Sequence, residues 1–183
     1  AFKTGITLQF GRHYYHRVLD TQDGARHNAV TYTFRNGLPV SLTEFASPMP
    51  YREQLWNFGL YGQDQWTIGR MTLNYGVRFD RFHAFTLEED VPATRFVPAL
   101  HFAAVDNVPF WKDVTPRFGV AYDLSGNGRT AIKGSFGKYV GAMGVGYADL
   151  AHPVNAIVSS VSRTWVDANA NFVPDCDLQN RGV

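Results

Sequence analysis

The strongest constraint on the fold is a run of ten residues in which apolar and polar side chains alternate without interruption. The apolar set comprises Met71, Leu73, Tyr75, Val77 and Phe79, and polar residues or glycine stand between them as far as Asp80. Successive side chains of an extended strand point to opposite faces, so this run predicts a strand with one apolar and one polar face. We therefore expect an all-β protein built from antiparallel strands.

Similar alternation recurs along the chain and predicts further strands. We place the strands at about residues 2–10, 30–34, 38–45, 55–66, 71–81, 117–124 and 130–139, with long loops at 11–28, 46–54, 82–115 and 140–183. Short turns on one side that alternate with long loops on the other are typical of an outer-membrane barrel. Soluble sandwiches alternate too, but their strands average five to six residues, whereas runs of about ten suit a tilted membrane crossing.

The turns can be tested by parity, because cross-strand partners in an antiparallel hairpin point to the same face. A two-residue turn at residues 68–69 and a connection over residues 125–129 both place apolar residues opposite apolar ones. At residues 35–37 a two-residue turn would place Arg35 opposite Leu38. There we predict a three-residue loop with a G1 bulge at its glycine.

Charge and hydropathy exclude two classes of protein. The 183 residues carry 17 basic and 16 acidic side chains, for a net charge of +1, and the two signs are interspersed. A nucleic-acid-binding protein needs a basic face to neutralise phosphates, so we expect no nucleic-acid partner. No apolar stretch approaches the roughly 20 residues of a membrane-spanning helix. A membrane barrel is still allowed, since its alternating strands average to ordinary hydropathy.

Several segments are similar to one family. Residues 60–67 read LYGQDQWT and residues 73–80 read LNYGVRFD, while residues 115–123 read TPRFGVAYD and residues 133–139 read KGSFGKY. These segments resemble successive hairpins of TonB-dependent outer-membrane receptors. Residues 163–178 resemble a loop of the large receptors of that family that carry an N-terminal carboxypeptidase-regulatory-like domain. The resemblance implies a 22-stranded barrel around a separate plug domain, which imports a scarce ligand with energy relayed from the inner membrane.

The resemblance also implies a location and partners. The location is the outer membrane of a Gram-negative bacterium, and the partners are outer-membrane lipid, the receptor's own plug domain, the inner-membrane energy-coupling complex and an unknown small ligand. The chain shows no plug domain, no energy-coupling box and no terminal aromatic strand. We therefore expect an incomplete fragment of the barrel. Two alternatives stay open: a small complete outer-membrane barrel acting as an adhesin or structural protein, and a soluble β-sandwich that binds glycans through loop aromatics.

Strand parity supplies the candidate site residues. The charges that share the polar parity, and that would face the lumen of a barrel, are Arg78, Asp80, Arg117, Asp123 and Lys133. The residues of the apolar parity, and thus the expected lipid contacts, are Leu73, Tyr75, Val77 and Phe79. A charge on the lipid face costs about 2 to 4 kcal/mol at mid-membrane. We therefore expect all five charges to face the water-filled interior of the barrel.

One constellation in the predicted last loop has the spacing of a cation site. Asp167, Asn169, Asn171 and Asp175 occupy positions 1, 3, 5 and 9 of a calcium loop, where oxygen side chains collect a hard cation. Phe172 replaces the turn glycine of that pattern, and Leu178 replaces its bidentate glutamate. Asx turns that satisfy their own backbone are the alternative. For Cys176, the family resemblance implies a disulfide to a cysteine downstream of Val183.

We find no catalytic motif in the sequence. Its six histidines show no metal-ligand spacing. A Gly-x-Gly-x-x-Ala pattern at residues 126–131 leads into an alternating strand, whereas a dinucleotide site needs a helix there. No nucleophile can be paired with a base. We therefore expect no enzyme activity, and no cofactor other than calcium.

Overall fold

Strands dominate the protein. The computed structural model describes residues 1–18, 29–141 and 143–180, with 57% of the chain in strands and 5% in helices. The all-β prediction is therefore confirmed. The strands are β1 (Lys3–Arg17), β2 (Val30–Arg35), β3 (Leu38–Phe45), β4 (Met49–Ile68), β5 (Met71–Thr86), β6 (Glu89–Val91), β7 (Leu100–Phe102), β8 (Phe110–Asp123), β9 (Ala131–Gly137) and β10 (Ser160–Arg163), with a short helix α1 (Gly146–Leu150) and a 3-10 turn (Pro153–Ala156).

The long strands form one sheet in the order β1-β4-β5-β8-β9. The pairs β5–β8 and β8–β9 are antiparallel. The edge strands β1 and β9 do not pair with each other within the described residues, so the sheet is open. A three-stranded sheet (β10-β3-β2) and a two-stranded sheet (β6-β7) complete the described strand pairings.

The turn between β4 and β5 lies one residue later than predicted. It consists of Gly69 and Arg70, where the parity argument predicts residues 68–69. Gly69 has a φ of 57°, a left-handed conformation that glycine adopts without a steric penalty. The Trp66 and Tyr75 rings lie 5.5 Å apart, so both side chains occupy the same face, in agreement with the predicted parity of the hairpin.

The hairpin of β8 and β9 has the predicted register. Tyr122 lies opposite Ile132, and Phe118 lies opposite Phe136. Its connection is closed by a hydrogen bond from the backbone N–H of Leu124 to the carbonyl oxygen of residue 130, 3.0 Å long. Because this connection is short, apolar parity alone was enough to predict which residues face each other.

The turn between β2 and β3 corrects the prediction of a three-residue loop at residues 35–37. Asn36 and Gly37 form a two-residue turn, and both have positive φ, of 52° and 78°. That combination is required by a type I′ turn, whose twist matches the flanking strands. The irregularity lies instead between Thr33 and Phe34, where the register shifts. The irregularity that the prediction placed in the turn therefore lies within the strands.

Several strands extend beyond their predicted limits. β1 continues to Arg17, β4 begins at Met49, β5 ends at Thr86 and β8 begins at Phe110, while β6, β7 and β10 lie wholly within predicted loops. The predicted loops 11–28, 46–54, 82–115 and 140–183 are therefore partly strand, although residues 19–28 lie outside the described residues. Backbone pairing explains the extension: the N–H of Leu87, for example, donates to the carbonyl oxygen of Arg52 at 2.9 Å.

The chain divides into two compact units, where the sequence predicted a single barrel domain. Unit 1 comprises Ala1–Arg12, Glu53–Phe85 and Asp106–Ala148, and unit 2 comprises His13–Arg52, Thr86–Val105 and Asp149–Val183. The core of unit 1 buries Leu55, Phe82, Ala84 and Ala148. Unit 2 has one core that includes Met49, Tyr51 and Val154, and a second that includes Leu42 and Trp165.

Candidate functional site

One face of the main sheet in unit 1 is apolar and exposed. Leu73, Tyr75, Val77 and Phe79, the predicted lipid contacts, lie opposite Val120, Phe118, Pro116 and Val114 of β8. Val77, Val114 and Phe118 are each about half exposed, and Phe136 of β9 is 70% exposed. A contiguous apolar face of several strands is unfavourable in water and marks a surface that meets another apolar phase.

A single carboxylate, Asp64, interrupts this apolar face five residues before Gly69, the first residue of the turn between β4 and β5. Asp64 shares the parity of Trp66 and accepts hydrogen bonds from the Trp66 indole Nε1 at 2.6 Å and the Tyr75 hydroxyl at 3.3 Å. Indole and phenol groups combine an apolar ring with a polar end, so they can hydrogen-bond a carboxylate within an apolar surface. The acidic group therefore has two aromatic donors within the apolar face.

The opposite face carries the predicted charges. The strand register places Arg78, Asp80, Arg117, Asp123 and Lys133 on the same side of the sheet. Asp80 lies directly opposite Asp113, a pair of like charges that would be unfavourable if left alone. The side chain of Arg78 donates to both Asp80 oxygens, at 2.8 and 2.9 Å. Lys138 donates to Asp113 at 2.8 Å, so each carboxylate has its own cation.

A polar cavity lies beside these ion pairs. It has a volume of about 410 Å³, and Arg78, Asp80 and Arg117 are among its lining residues. Gly59 of β4 makes room for the ion pair, because a Cβ at this position would overlap the Arg78 guanidinium and approach Asp80 Oδ1 to 2.8 Å. Arg117 lies 4.8 Å from the centre of the Tyr139 ring, in a cation–π contact. Two arginines therefore line the cavity, and Arg78 is already paired with Asp80.

The remaining two predicted charges have other surroundings. Asp123 accepts backbone hydrogen bonds from Ser125, Gly126 and Gly128, at 3.2, 3.0 and 2.8 Å, and so stabilises the turn into β9. Lys133 is exposed and lies opposite Ala121. Neither residue lines the polar cavity.

Sequence reasoning missed two members of the charged face, Asp113 and Lys138. Asp113 lay in the predicted loop 82–115, because the alternation was followed only from residue 117. Lys138 lay in the predicted strand 130–139, on the parity of Ile132 and Phe136, whereas β9 ends at Gly137. Extending that alternation upstream would have placed Asp113 on the parity of Arg117. The contact between Asp113 and Lys138, which are 25 residues apart, carries no comparable sequence signal.

The predicted calcium loop of unit 2 is held together by its own side chains. Asp167 accepts the backbone N–H groups of Asn171 and Phe172, both at 2.9 Å. Asn169 accepts from the N–H of residue 171 and Asn171 from that of residue 173, at 3.1 and 2.8 Å. Asp175 accepts from residue 168 at 2.7 Å. These contacts fit the Asx-turn alternative, and calcium binding stays a prediction.

Cys176, the predicted disulfide partner, is exposed. It is the only cysteine of residues 1–183, so no disulfide can form between two of these residues. The disulfide to a downstream cysteine therefore stays a prediction. Mass mapping of the non-reduced full-length protein tests it: we expect a peptide linked through Cys176, and a free thiol at this position would contradict the expectation.

Unit 2 also contains an acidic and histidine cluster that sequence spacing did not reveal. Glu88, Asp90 and His101 bring ligand atoms within 4.8 Å of one another, and all three residues are exposed. The ring nitrogen Nδ1 of His101 lies 2.9 Å from Asp90 Oδ1. That hydrogen bond, with the negative charges of Asp90 and Glu88, raises the pKa of His101 above its ordinary value. Such groups can ligate a divalent cation, but their ion pairing already accounts for the arrangement.

These observations define the class of the protein. An antiparallel sheet with long strands, an exposed apolar face and a charged opposite face is the wall of a transmembrane β-barrel. The chain belongs to the outer membrane beta barrel domain family, whose sequence profile matches residues 6–179. Family membership places the protein in the outer membrane of Gram-negative bacteria. No curated protein and no solved structure matches the chain significantly. Among the described residues, no helix has the length and apolar character to cross a membrane.

Proposed function

We propose that the chain forms part of the barrel of a TonB-dependent receptor, which takes up a scarce ligand through the outer membrane without catalysis. The observation that carries the proposal is the separation of the sheet's two faces. Arg78, Asp80 and Arg117 lie on the face opposite Tyr75 and Val77. In the proposed barrel the charged face lines a wet interior, in contact with the plug domain or the ligand, and the apolar face meets lipid.

The connections of the main sheet support the same proposal. Two residues join β4 to β5, and a short turn joins β8 to β9, whereas residues 87–109 separate β5 from β8. Barrels of the outer membrane have short periplasmic turns and long extracellular loops. We therefore assign the Gly69–Arg70 turn to the periplasmic side and the other end of β5 to the cell exterior. The sequence motifs of residues 60–80 and 115–139, which resemble this receptor family in their order, add independent support.

Planar-bilayer recording of the full-length protein in potassium chloride tests the proposal. A barrel closed by a plug should conduct little until urea, added on the periplasmic side, unfolds the plug, and removal of urea should close it again. A second arm uses the Arg117→Gln variant, which should shift the ion selectivity of the opened channel towards cations. Val77→Leu is the matched control, because a lipid-facing methyl group does not contact permeating ions.

A small complete barrel acting as an adhesin or structural protein is the second candidate, since family membership alone suits it equally. Its conductance would be insensitive to urea at concentrations that leave the barrel folded, and that result would refute the uptake proposal. The soluble glycan-binding sandwich is not supported, because the family is that of outer-membrane barrels.

A further inference from the structure

Two cations lie directly opposite each other on the apolar face of the main sheet. Arg81 of β5 is the cross-strand partner of Lys112 of β8, and both residues are exposed. Arg81 has the parity of Val77 and Phe79, so it extends from the apolar side of the sheet and not from the charged side. Like charges in directly opposite positions are destabilising unless an anion lies between or beside them.

The described part of the chain offers this pair no carboxylate within ion-pair distance. Asp106 pairs with His83 Nε2, at 2.6 Å. Both cations instead rest on one aromatic ring: Arg81 Cζ lies 5.0 Å, and Lys112 Nζ 5.1 Å, from the centre of the Phe110 ring. The Phe110 ring thus contacts both cations, and an anion that neutralises them would have to come from outside the described residues.

An apolar groove adjoins the pair on the same face. It has a volume of about 520 Å³ and is lined by Leu8, Phe10, Trp56 and Phe58, together with Arg81. Phe10 and Trp56 contact each other, with ring centres 4.8 Å apart. An apolar groove that also presents a guanidinium group suits a ligand with a hydrocarbon chain and an anionic head. Arginine and lysine both bind phosphate, arginine through paired donors and lysine as a point charge.

The position of the pair along the strand corresponds to the level of lipid headgroups. Ten residues separate Arg81 from Met71, the first apolar residue after the Gly69–Arg70 turn, which corresponds to about 34 Å of extended strand. A strand tilt near 40° reduces this to about 26 Å across the membrane, close to the roughly 25 Å apolar band of such barrels. The two cations therefore lie just beyond the hydrocarbon, at the end of the sheet assigned to the exterior.

We propose that Arg81 and Lys112 bind the phosphate of a phosphorylated glycolipid in the outer leaflet, with an acyl chain of the same lipid in the groove beside Trp56 and Phe58. The inference rests on the proposed orientation of the barrel, because only the outer leaflet of this membrane consists of such a glycolipid. It goes beyond transport: the barrel wall carries a specific lipid site, distinct from any ligand site in the lumen.

Native mass spectrometry of the full-length protein in detergent tests the site, with diphosphoryl lipid A as the probe. The wild-type protein should retain bound lipid A, and Arg81→Gln combined with Lys112→Gln should weaken its binding by about tenfold or more, through loss of two charge-assisted contacts. Arg70→Gln is the matched control, since Arg70 lies at the opposite end of β5, and its affinity should stay within about twofold of the wild type. Heat-modified gel mobility of each variant shows that the barrel is folded.

A second comparison needs no variant and decides the question even where the double substitution prevents folding. Wild-type protein should bind dephosphorylated lipid A about tenfold more weakly than the diphosphoryl form. Equal binding of the two forms, equally tight binding of phosphatidylglycerol, or displacement of lipid A by inorganic phosphate would each overturn the proposal. If the protein lacks heat-modified mobility, then the membrane assignment itself fails. If the protein binds lipid A but its conductance is insensitive to urea, the lipid site is supported and the uptake function is refuted.

Discussion

Replacement of Val77 by arginine tests directly which face of the sheet meets lipid. Val77 is 52% exposed on the apolar face and lies opposite Pro116. It is six residues from Met71 and four from Arg81, or about 20 Å and about 14 Å along the strand, so it lies near the middle of the apolar band. An arginine at mid-membrane destabilises a barrel by about 2 to 4 kcal/mol. The folding equilibrium constant should therefore fall by a factor of roughly 30 to 1,000.

Asn74→Arg is the matched control for this substitution. Asn74 lies in the same strand but on the charged face, opposite Gly119, which has no side chain to obstruct an arginine. The added charge would enter a wet interior, and we expect a change below about 0.5 kcal/mol, as for ordinary surface substitutions. Val77→Leu controls for the change of residue as such and should assemble like the wild type.

The measurement is the fraction of full-length protein with heat-modifiable gel mobility, followed by urea titration in detergent micelles or lipid vesicles. We expect loss of folded barrel with Val77→Arg and normal assembly with Asn74→Arg. If both arginine variants assemble equally well, the assignment of the apolar face to lipid is wrong. If Asn74→Arg is the more damaging of the two, the faces are reversed.

Three further predictions concern other parts of the chain. Arg78→Ala should lower the free energy of unfolding by about 2 kcal/mol, measured by urea titration, because it leaves the buried Asp80 carboxylate without its cation. Calorimetric titration of the full-length protein with calcium should give heat that is absent from the Asp167→Ala variant. The raised pKa of His101 means that its ion pair contributes stability fully below the ordinary value of 6.5 and loses that contribution as the pH rises through the folded value. NMR titration of Asp90→Asn should therefore show a lower pKa for His101.

Each of these predictions has its own contrary outcome. Arg117→Ala removes only a cation–π contact and should cost less than about 1 kcal/mol, so equal losses in the Arg78 and Arg117 variants would contradict the ion-pair argument. Identical calcium heats for wild type and Asp167→Ala would leave only the Asx-turn interpretation. An unchanged pKa of His101 in Asp90→Asn would show that Asp90 is not its main partner.

The hairpins show how far local sequence could predict the fold. The register of β8 and β9, with Tyr122 opposite Ile132, follows from parity because a short connection leaves few alternative pairings. At Asn36 and Gly37 the same reasoning found the hairpin but placed the bulge in the turn. Parity rejected a two-residue turn because it places Arg35 opposite Leu38, yet the structure has that pair and shifts the register between Thr33 and Phe34 instead.

Only part of the candidate site could be predicted, because parity gives the face on which a residue lies but not the partners of its side chain. Parity alone placed Arg78 and Asp80 on one face, since both lie in the strand with the clearest alternation. It did not predict that Asp123 would serve the turn, because its backbone partners depend on the loop conformation. It also missed the Asp113–Lys138 contact, which requires β9 and the segment after it to return beside β8.

The sequence by itself determined that this chain forms antiparallel strands with one apolar and one charged face, because that information lies in a period of two residues and needs no distant contact. Only the tertiary structure decided which residues of different strands meet. Arg81 and Lys112 become neighbours because β5 and β8 pair in one register, and a slip of one residue would send either of them to the opposite face. The charge pair beside the apolar groove thus depends on long-range strand pairing, and no local pattern in the sequence specifies it.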